Sequence, residues 1–196
     1  MYNNTMLGDI LKLLPRRDIQ KIKHQYKGDH YTKTFTTWDH LVAMITGQLA
    51  GIISLRDLEV TLNSLPECHY HMHTKTVKRS TLSDANNNRN FALFRDIALS
   101  LISRSCAQRK KLQQILTVLD SSLILLKSRG HEWAKDTATR HSNTGLKLHV
   151  QYDYSNDHIE YVAVNNSNVN DITVAQGLPL EEGRIYVFDK GYCDYK

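Results

Sequence analysis

The hydrophobic period of the chain changes near residue 112, and this change limits the folds open to it. Before that point apolar residues recur at helical spacing, as in the i, i+3, i+4, i+7 and i+8 pattern of Phe94, Ile97, Ala98, Leu101 and Ile102. After it, apolar residues alternate with polar ones or form short runs, which is typical of strands. The pattern predicts an α-helical N-terminal domain (1–111) followed by a partial α/β domain (112–196).

Start and stop signals divide the first domain into several helices. Residues 6–14 and 16–27 flank Pro15, and a third helix begins at Thr36 or Thr37 and stops at Gly51. Ser54 begins a capping box, a second box is predicted at Thr81, and the histidine-rich stretch 68–73 is predicted to be a loop.

The second domain has the predicted order β-β-β-α-β. An apolar run at 115–119 ends in Asp120, and strands at 146–152 and 159–164 are joined by a polar hairpin turn. A short helix at 171–180 then precedes a fourth strand that runs into Asp189.

Charge is distributed unevenly between the two parts. Residues 1–111 hold 17 Lys and Arg against 9 Asp and Glu, a net +8, whereas residues 112–196 hold 8 against 11, a net −3. A basic half of this kind is typical of a module that binds a polyanion such as nucleic acid. Three widely separated cysteines and the lack of a long apolar run predict a protein of the cytoplasm, with no membrane partner.

Asp120 and Asp189 are the candidate metal ligands. An ionised carboxylate at the end of a buried strand is costly unless it is paired or bound to a metal. A three-strand meander places Asp153 away from Asp120, whereas a helical crossover returns the fourth strand beside the first and parallel to it. Two converging carboxylates would suit Mg²⁺. The alternative is that Asp120 caps a loop and Asp189 begins a turn at Gly191.

The ordered sequence blocks resemble the DDE transposases of the bacterial insertion-sequence 4 family. In the second domain the matching blocks are Leu119-Asp120-Ser121-Ser122, Gly145-Leu146-Lys147-Leu148-His149 and Phe188-Asp189-Lys190-Gly191-Tyr192. In the first, they include Lys33-Thr34-Phe35-Thr36-Thr37-Trp38, Ser54-Leu55-Arg56-Asp57 and Lys78-Arg79-Ser80-Thr81-Leu82-Ser83-Asp84. The resemblance spans nearly the whole chain and implies an RNase H-like catalytic domain.

The resemblance also implies an activity and its catalytic residues. Asp120 and Asp189 would be the first two catalytic carboxylates, holding Mg²⁺ or Mn²⁺ for cutting and strand transfer of double-stranded transposon DNA. The third carboxylate, a glutamate, would lie beyond Lys196, so the chain is expected to be a truncated, inactive copy or a fragment. The resemblance allows a homodimer of the full-length protein, placed in the bacterial cytoplasm and on the nucleoid when bound to DNA.

Five basic residues are candidate DNA contacts. Lys78, Arg79 and Arg89 flank a short predicted helix that resembles part of a helix-turn-helix reader, although such a helix can equally be a solvated connector. Lys147 lies in the second predicted strand, where it would contact the DNA backbone or simply edge the sheet, and Lys190 directly follows Asp189.

Two other functions are consistent with the same residues. In one, the chain is a non-catalytic, transposase-derived DNA-binding or repressor protein whose helical domain acts alone. In the other, it is an RNase H-like nuclease whose acidic site is completed by Glu160 or Asp194.

Overall fold

The computed structural model describes residues 6–64, 66–107, 115–126, 145–178 and 180–193. The chain divides into two compact units, Met1–Leu101 and Ile102–Lys196. The change of hydrophobic period predicted a boundary ten residues later, after residue 111. The difference arises because the last residues of a long helix, from Ile102 onwards, are grouped with the second unit.

The described residues of the first part are predominantly helical, as predicted. The helices are α1 (Met6–Lys12), α2 (Arg16–Gln25), α3 (Thr37–Leu49), α4 (Leu55–Asn63), α5 (Pro66–Met72), α6 (Arg79–Asn88) and α7 (Phe91–Ala107). The core of the first unit is made of small apolar clusters, the largest of which contains Phe35, Ala43, Leu58, Leu62, Val77 and Leu82.

Side-chain caps begin two of these helices where the sequence predicted. The Thr36 hydroxyl accepts a hydrogen bond from the Asp39 backbone amide, and the Asp39 carboxylate accepts one from the Thr36 amide, which completes a capping box at α3. The Ser54 hydroxyl accepts a hydrogen bond from the Asp57 amide at the start of α4. These bonds satisfy amides that a helix leaves unpaired at its first turn.

The second predicted capping box is wrong. Helix α6 begins at Arg79, with Lys78 as an N-cap that makes no side-chain hydrogen bond, so Thr81 lies inside the first turn. A Ser/Thr-x-x-Asp pattern can occur at the N-cap or within the first turn of a helix. In α6 it begins within the first turn, directly before the buried Leu82.

The predicted loop at residues 68–73 is also wrong, since α5 covers most of it. Met72 is buried in a cluster with Leu11 and Val42, and the buried His69 ring places Nε2 2.5 Å from the Leu62 carbonyl oxygen. Tertiary packing therefore makes helical a segment whose polar composition indicated a loop.

The second unit contains a four-stranded mixed sheet. Strands β1 (Ile115–Leu125), β2 (Gly145–Asp153) and β3 (His158–Asn166) form an antiparallel meander. Helix α8 (Asp171–Gln176) then leads to β4 (Arg184–Phe188), which lies parallel to β1 in the order β3-β2-β1-β4. The predicted β-β-β-α-β order and the parallel pairing of the first and fourth strands are confirmed.

Strand β1 is longer than predicted. It continues past Asp120 to Leu125 and stays paired with β2 to that point, whereas its pairing with β4 stops at Leu119 and Phe188. Asp120 therefore lies within a strand and not at its end. It is the first β1 residue beyond the pairing with β4.

The two faces of the sheet are buried to different extents. On one face Leu119, Leu178 and Tyr192 form a buried cluster beneath α8. On the other face several apolar side chains stay about half exposed, among them Ile185 and Val187. Within the described part of the chain, no helix is long and apolar enough to cross a membrane.

Candidate functional site

The parallel pairing of β1 with β4 brings Asp120 and Asp189 to the same end of the sheet. Leu119 is paired with Phe188, and each of these residues is followed directly by one of the two aspartates. Neighbouring strands lie about 4.8 Å apart, so the two backbones leave the paired region side by side. Asp120 and Asp189 therefore follow neighbouring backbone positions at one end of the sheet, and we call this end, with its two aspartates, the open end.

Both carboxylates of the open end are exposed. Asp120 Oδ1 accepts a hydrogen bond of 2.7 Å from the Ser121 amide, and Asp189 Oδ1 accepts one of 2.5 Å from the Lys190 amide. Asp189 is also the N-cap of a 3-10 turn over Lys190–Tyr192. The alternative considered from the sequence, that Asp189 begins a turn at Gly191, therefore describes its backbone correctly. Two adjacent, solvent-accessible carboxylates are the hard oxygen donors that Mg²⁺ prefers.

Tyr192 packs beneath the open end. Its ring is buried, and its hydroxyl lies 3.2 Å from Nδ1 of His149. Burial raises the pKa of Tyr192, and the charges of Asp171, Asp120 and Asp189 raise it further, against a hydrogen bond with Ser121 that lowers it. The hydroxyl therefore stays protonated, and Tyr192 supports the backbone that carries Asp189.

Lys147, a predicted DNA contact, has a partner within the protein. Its Nζ lies 3.0 Å from Asp171 Oδ1 at the start of α8, and its side chain is 19% exposed. His149, two residues along β2, is fully buried, and burial lowers its pKa, so its ring is neutral near pH 7. The sequence did not predict that Asp171 is the partner of Lys147. The local pattern indicated only that a helix begins here, since Asn170 is a typical N-cap residue and does cap α8.

The other candidate DNA contacts lie in different settings. Lys78 and Arg79 are exposed at the start of α6, and Lys190 is exposed beside Asp189. Arg89 is partly buried, with its guanidinium donating to the carbonyl oxygens of Thr36, at 3.0 Å, and Phe35. Arg89 also lines a cleft of about 580 Å³ in the helical unit.

A second polar group lies at the opposite end of the sheet. Asp153 ends β2, His158 begins β3, and Glu160 follows two residues later; their ligand atoms lie within 4.8 Å of one another. The register pairs Thr117 with Asp153 and Asp120 with Val150, a shift of three residues, or about 10 Å along the strands. Together with Arg184 of β4, which is bound to Glu160, we call this group the buried-end cluster.

The position of Glu160 contradicts its use as the third acid of a nuclease. Glu160 lies in the buried-end cluster, and both its oxygens accept hydrogen bonds from Nη1 of Arg184, at 2.8 and 2.7 Å. It is thus held by β4 at the end of the sheet away from Asp120 and Asp189. Asp194, the other acid considered for that role, lies outside the described residues.

Two family matches cover most of the chain. Residues 111–196 match the family described as "Transposase DDE domain", and residues 2–75 match the family described as "Domain of unknown function (DUF4372)". The first match contains the whole described sheet and both aspartates of the open end.

A curated relative agrees with these matches. The chain is 35% identical over 115 residues to the protein of Sinorhizobium fredii (strain NBRC 101917 / NGR234) named "Putative transposase y4zB". The match covers 58% of this chain and 31% of that protein. No solved structure matches the chain.

The fold and these matches agree. A mixed sheet that pairs its first and fourth strands, with an aspartate after each paired segment, coincides with the matched DDE domain. The chain is a relative of the DDE transposases, and the resemblance inferred from its sequence blocks is confirmed at that level. The narrower insertion-sequence 4 assignment stays a prediction.

Proposed function

We propose that this chain is part of a DNA transposase of the insertion-sequence 4 type, with an RNase H-like sheet that carries the first two catalytic carboxylates. The observation that supports the proposal most is the parallel pairing of β1 with β4, because Asp120 and Asp189 directly follow the paired residues Leu119 and Phe188. Both residues lie within the segment related to transposase DDE domains.

Asp120 and Asp189 would hold Mg²⁺ or Mn²⁺. The donor set fits, since both carboxylates are exposed and lie at one end of the sheet. The metal would supply charge neutralisation at a phosphodiester and a lower pKa for the attacking oxygen. The protein itself contributes position: β1 and β4 fix the two carboxylates, while the buried Tyr192 supports the turn behind Asp189.

The basic helical region would bind double-stranded DNA. Residues 1–111 carry a net charge of +8, and exposed Lys78 and Arg79 are its clearest candidates for phosphate contacts. Lys190 would meet a phosphate beside the carboxylates. Arg89 and Lys147 would have to keep or exchange their contacts with Thr36 and Asp171 when DNA binds.

Cleavage of DNA tests the proposed catalytic pair. Phosphodiester chemistry with two metal ions needs more anionic ligands than Asp120 and Asp189 supply. We therefore expect cleavage of a transposon-end duplex in Mg²⁺ or Mn²⁺ from a version extended to a downstream glutamate, and none from residues 1–196 alone. The matched controls are the extended version with Asp120→Asn and the same version with Glu182→Gln, which alters an exposed acid outside the proposed site.

The outcomes separate the proposed functions. Loss of cleavage in Asp120→Asn but not in Glu182→Gln supports the site. Cleavage by residues 1–196 that depends on Asp120 would overturn the need for a further carboxylate. DNA binding with no cleavage in any extended version would favour the repressor, whose helical region acts alone.

A gel-shift series tests the DNA-binding role. We expect duplex DNA to bind with a steep salt dependence, because lysine and arginine displace counterions from phosphates. Replacing Lys78 and Arg79 with alanine should weaken binding to all sequences and reduce the salt slope by about 0.9 for each phosphate that is no longer neutralised. Substituting the exposed Lys12, which pairs with Asp9, is the matched control. Unchanged binding by the double variant would exclude Lys78 and Arg79 as contacts.

The cellular setting follows from the same proposal. A transposase acts on double-stranded DNA at the transposon ends and at the target, so the protein would work in the bacterial cytoplasm and on the nucleoid when bound. We propose a homodimer as the assembly of the full-length protein, which size-exclusion chromatography with light scattering would test.

A further inference from the structure

We propose that the buried-end cluster is a second metal site, specific for a divalent transition metal of the Zn²⁺ type and separate from the carboxylates of the open end. The three ligands would be Asp153, His158 and Glu160. This inference does not depend on the proposed transposase function, since it rests on the chemistry of the cluster alone.

The β2–β3 hairpin builds the cluster. Asp153 and His158 are directly paired across the two strands, and the turn between them contains Asp157 at φ +55°. A bulge shifts the register from Tyr152–Ile159 to Gln151–Tyr161, which makes Glu160 the extra residue. His158 and Glu160 are two residues apart on β3 and therefore lie on the same face, and the bulge leaves Glu160 without a directly paired residue on β2.

His158 contributes an unused nitrogen. Its side chain is 5% exposed, and its buried Nε2 has no hydrogen-bond partner within the part of the chain that the structure describes. Glu160 Oε1 lies 3.9 Å from that nitrogen, which is too far for a hydrogen bond. A buried polar atom without a partner is costly, and a metal ion bound at Nε2 would remove the cost.

The cluster also carries uncompensated negative charge. Asp153 is fully buried, and its two oxygens accept hydrogen bonds from the amide and the side chain of Asn156, both uncharged donors. Arg184 pairs with Glu160, whereas no basic side chain among the described residues pairs with Asp153. Asp153 is therefore a buried carboxylate with only uncharged donors around it, and a cation between Asp153 and Glu160 would balance its charge.

The donor types select the metal. Zn²⁺ accepts both imidazole nitrogen and carboxylate oxygen as ligands, whereas Mg²⁺ prefers oxygen donors alone, so the imidazole of His158 favours Zn²⁺ over Mg²⁺. Metal–ligand bonds of about 2.0–2.2 Å place tetrahedral ligand atoms roughly 3.4 Å apart. Ligand atoms within 4.8 Å would need to draw together by up to about 1.4 Å, which rotation of these side chains can supply. Water would complete the coordination.

Zinc binding tests the site directly. The chain carrying Asp120→Asn and Asp189→Asn, which removes the open end as a ligand, is freed of metal with a chelator and dialysed against micromolar ZnCl₂. We expect one equivalent of bound zinc by mass spectrometry. Adding His158→Gln should remove that equivalent. The matched control, His71→Gln, alters an exposed histidine on α5 and should retain it.

A second measurement covers the case in which His158→Gln does not fold. Co²⁺ added to the chain with His158 intact should give the intense visible absorption of a four-coordinate site, and Zn²⁺ should abolish it by displacement. Zinc retained in a folded His158→Gln variant, or a chain with neither bound zinc nor the Co²⁺ spectrum, would overturn the proposal.

Discussion

The two ends of the sheet carry the same kind of side chain in opposite environments. At the open end, Asp120 and Asp189 are exposed and accept hydrogen bonds from the backbone amides of the residues that follow them. At the buried-end cluster, Asp153 is fully buried, and Glu160 is held by a guanidinium that is 3% exposed. The contrast separates carboxylates that are open to solvent from carboxylates that are packed within the fold.

The two ends of the sheet differ in burial because of where β4 begins and ends. The strand starts at Arg184, level with the hairpin turn, and so brings a counter-charge to Glu160. It ends at Phe188, level with Leu119, and so leaves Asp120 and Asp189 uncovered. A five-residue strand thereby closes one end of the sheet and opens the other. Substitutions at the first end should alter stability together with the proposed zinc binding, and substitutions at the second should alter Mg²⁺ binding with little effect on stability.

Replacing Arg184 should have the largest effect on stability. Arg184→Met removes the partner of a buried carboxylate, and breaking such a pair costs about 3–5 kcal/mol because a buried charge is left uncompensated. Urea-dependent hydrogen exchange of the β2 amides would measure the loss for the sheet unit. Arg79→Met, at an exposed position, is the control and should change stability by less than about 0.5 kcal/mol. A loss below about 1 kcal/mol in Arg184→Met would mean that the buried end is well solvated.

Leu119→Ala should cause the second largest loss of stability. Leu119 packs against Leu178 and Tyr192 and so holds α8 and Tyr192 against the sheet. Truncating a buried leucine costs about 2–5 kcal/mol, and the small cluster around Leu119 favours the lower part of this range. The same exchange measurement applies. Leu123→Ala, on the same strand but 52% exposed, is the matched control. Equal losses in the two variants would show that α8 does not depend on this cluster.

The sequence predicted the parts of this architecture that depend on local pattern. The alternation in β2 and the polar turn before β3 predicted the hairpin, and the helix between β3 and β4 predicted a parallel return beside β1. Chain topology therefore sufficed to bring Asp120 and Asp189 together. Asp153 was predicted to be a turn residue, and its carboxylate does bind Asn156 in that turn.

Features that depend on distant contacts could not be read from local pattern. Lys147 pairs with Asp171, 24 residues away, and Arg89 reaches the carbonyl of Thr36, 53 residues away. The local sequence around a basic residue on a strand or at a helix end does not distinguish a residue that contacts DNA from one that pairs with a carboxylate. The extension of β1 was missed because Ser121 and Ser122 interrupt its apolar run, although pairing with β2 continues through them.

Tyr192 should make a smaller contribution than Leu119. Tyr192→Phe keeps the buried ring and removes only the hydroxyl that lies 3.2 Å from His149. Loss of one such hydrogen bond costs about 1 kcal/mol. Urea-dependent hydrogen exchange of the β4 amides would measure this loss of stability. Tyr154→Phe, at an exposed position, is the control. No change in Tyr192→Phe would show that the hydroxyl plays no part in supporting the turn after Asp189.

Replacing both aspartates of the open end should change stability least. Without divalent metal, Asp120→Asn with Asp189→Asn removes two exposed charges of like sign, so we expect a difference within about 0.5 kcal/mol. Added Mg²⁺ should stabilise the unmodified chain by about 0.4 kcal/mol when its concentration equals the dissociation constant, and should not stabilise the double variant. Asp153→Asn would behave in the opposite way, with a large loss of stability and an unchanged response to Mg²⁺. If the double variant were strongly destabilised, or if it kept the full Mg²⁺ response, the two ends of the sheet would not have the separate roles that their burial indicates.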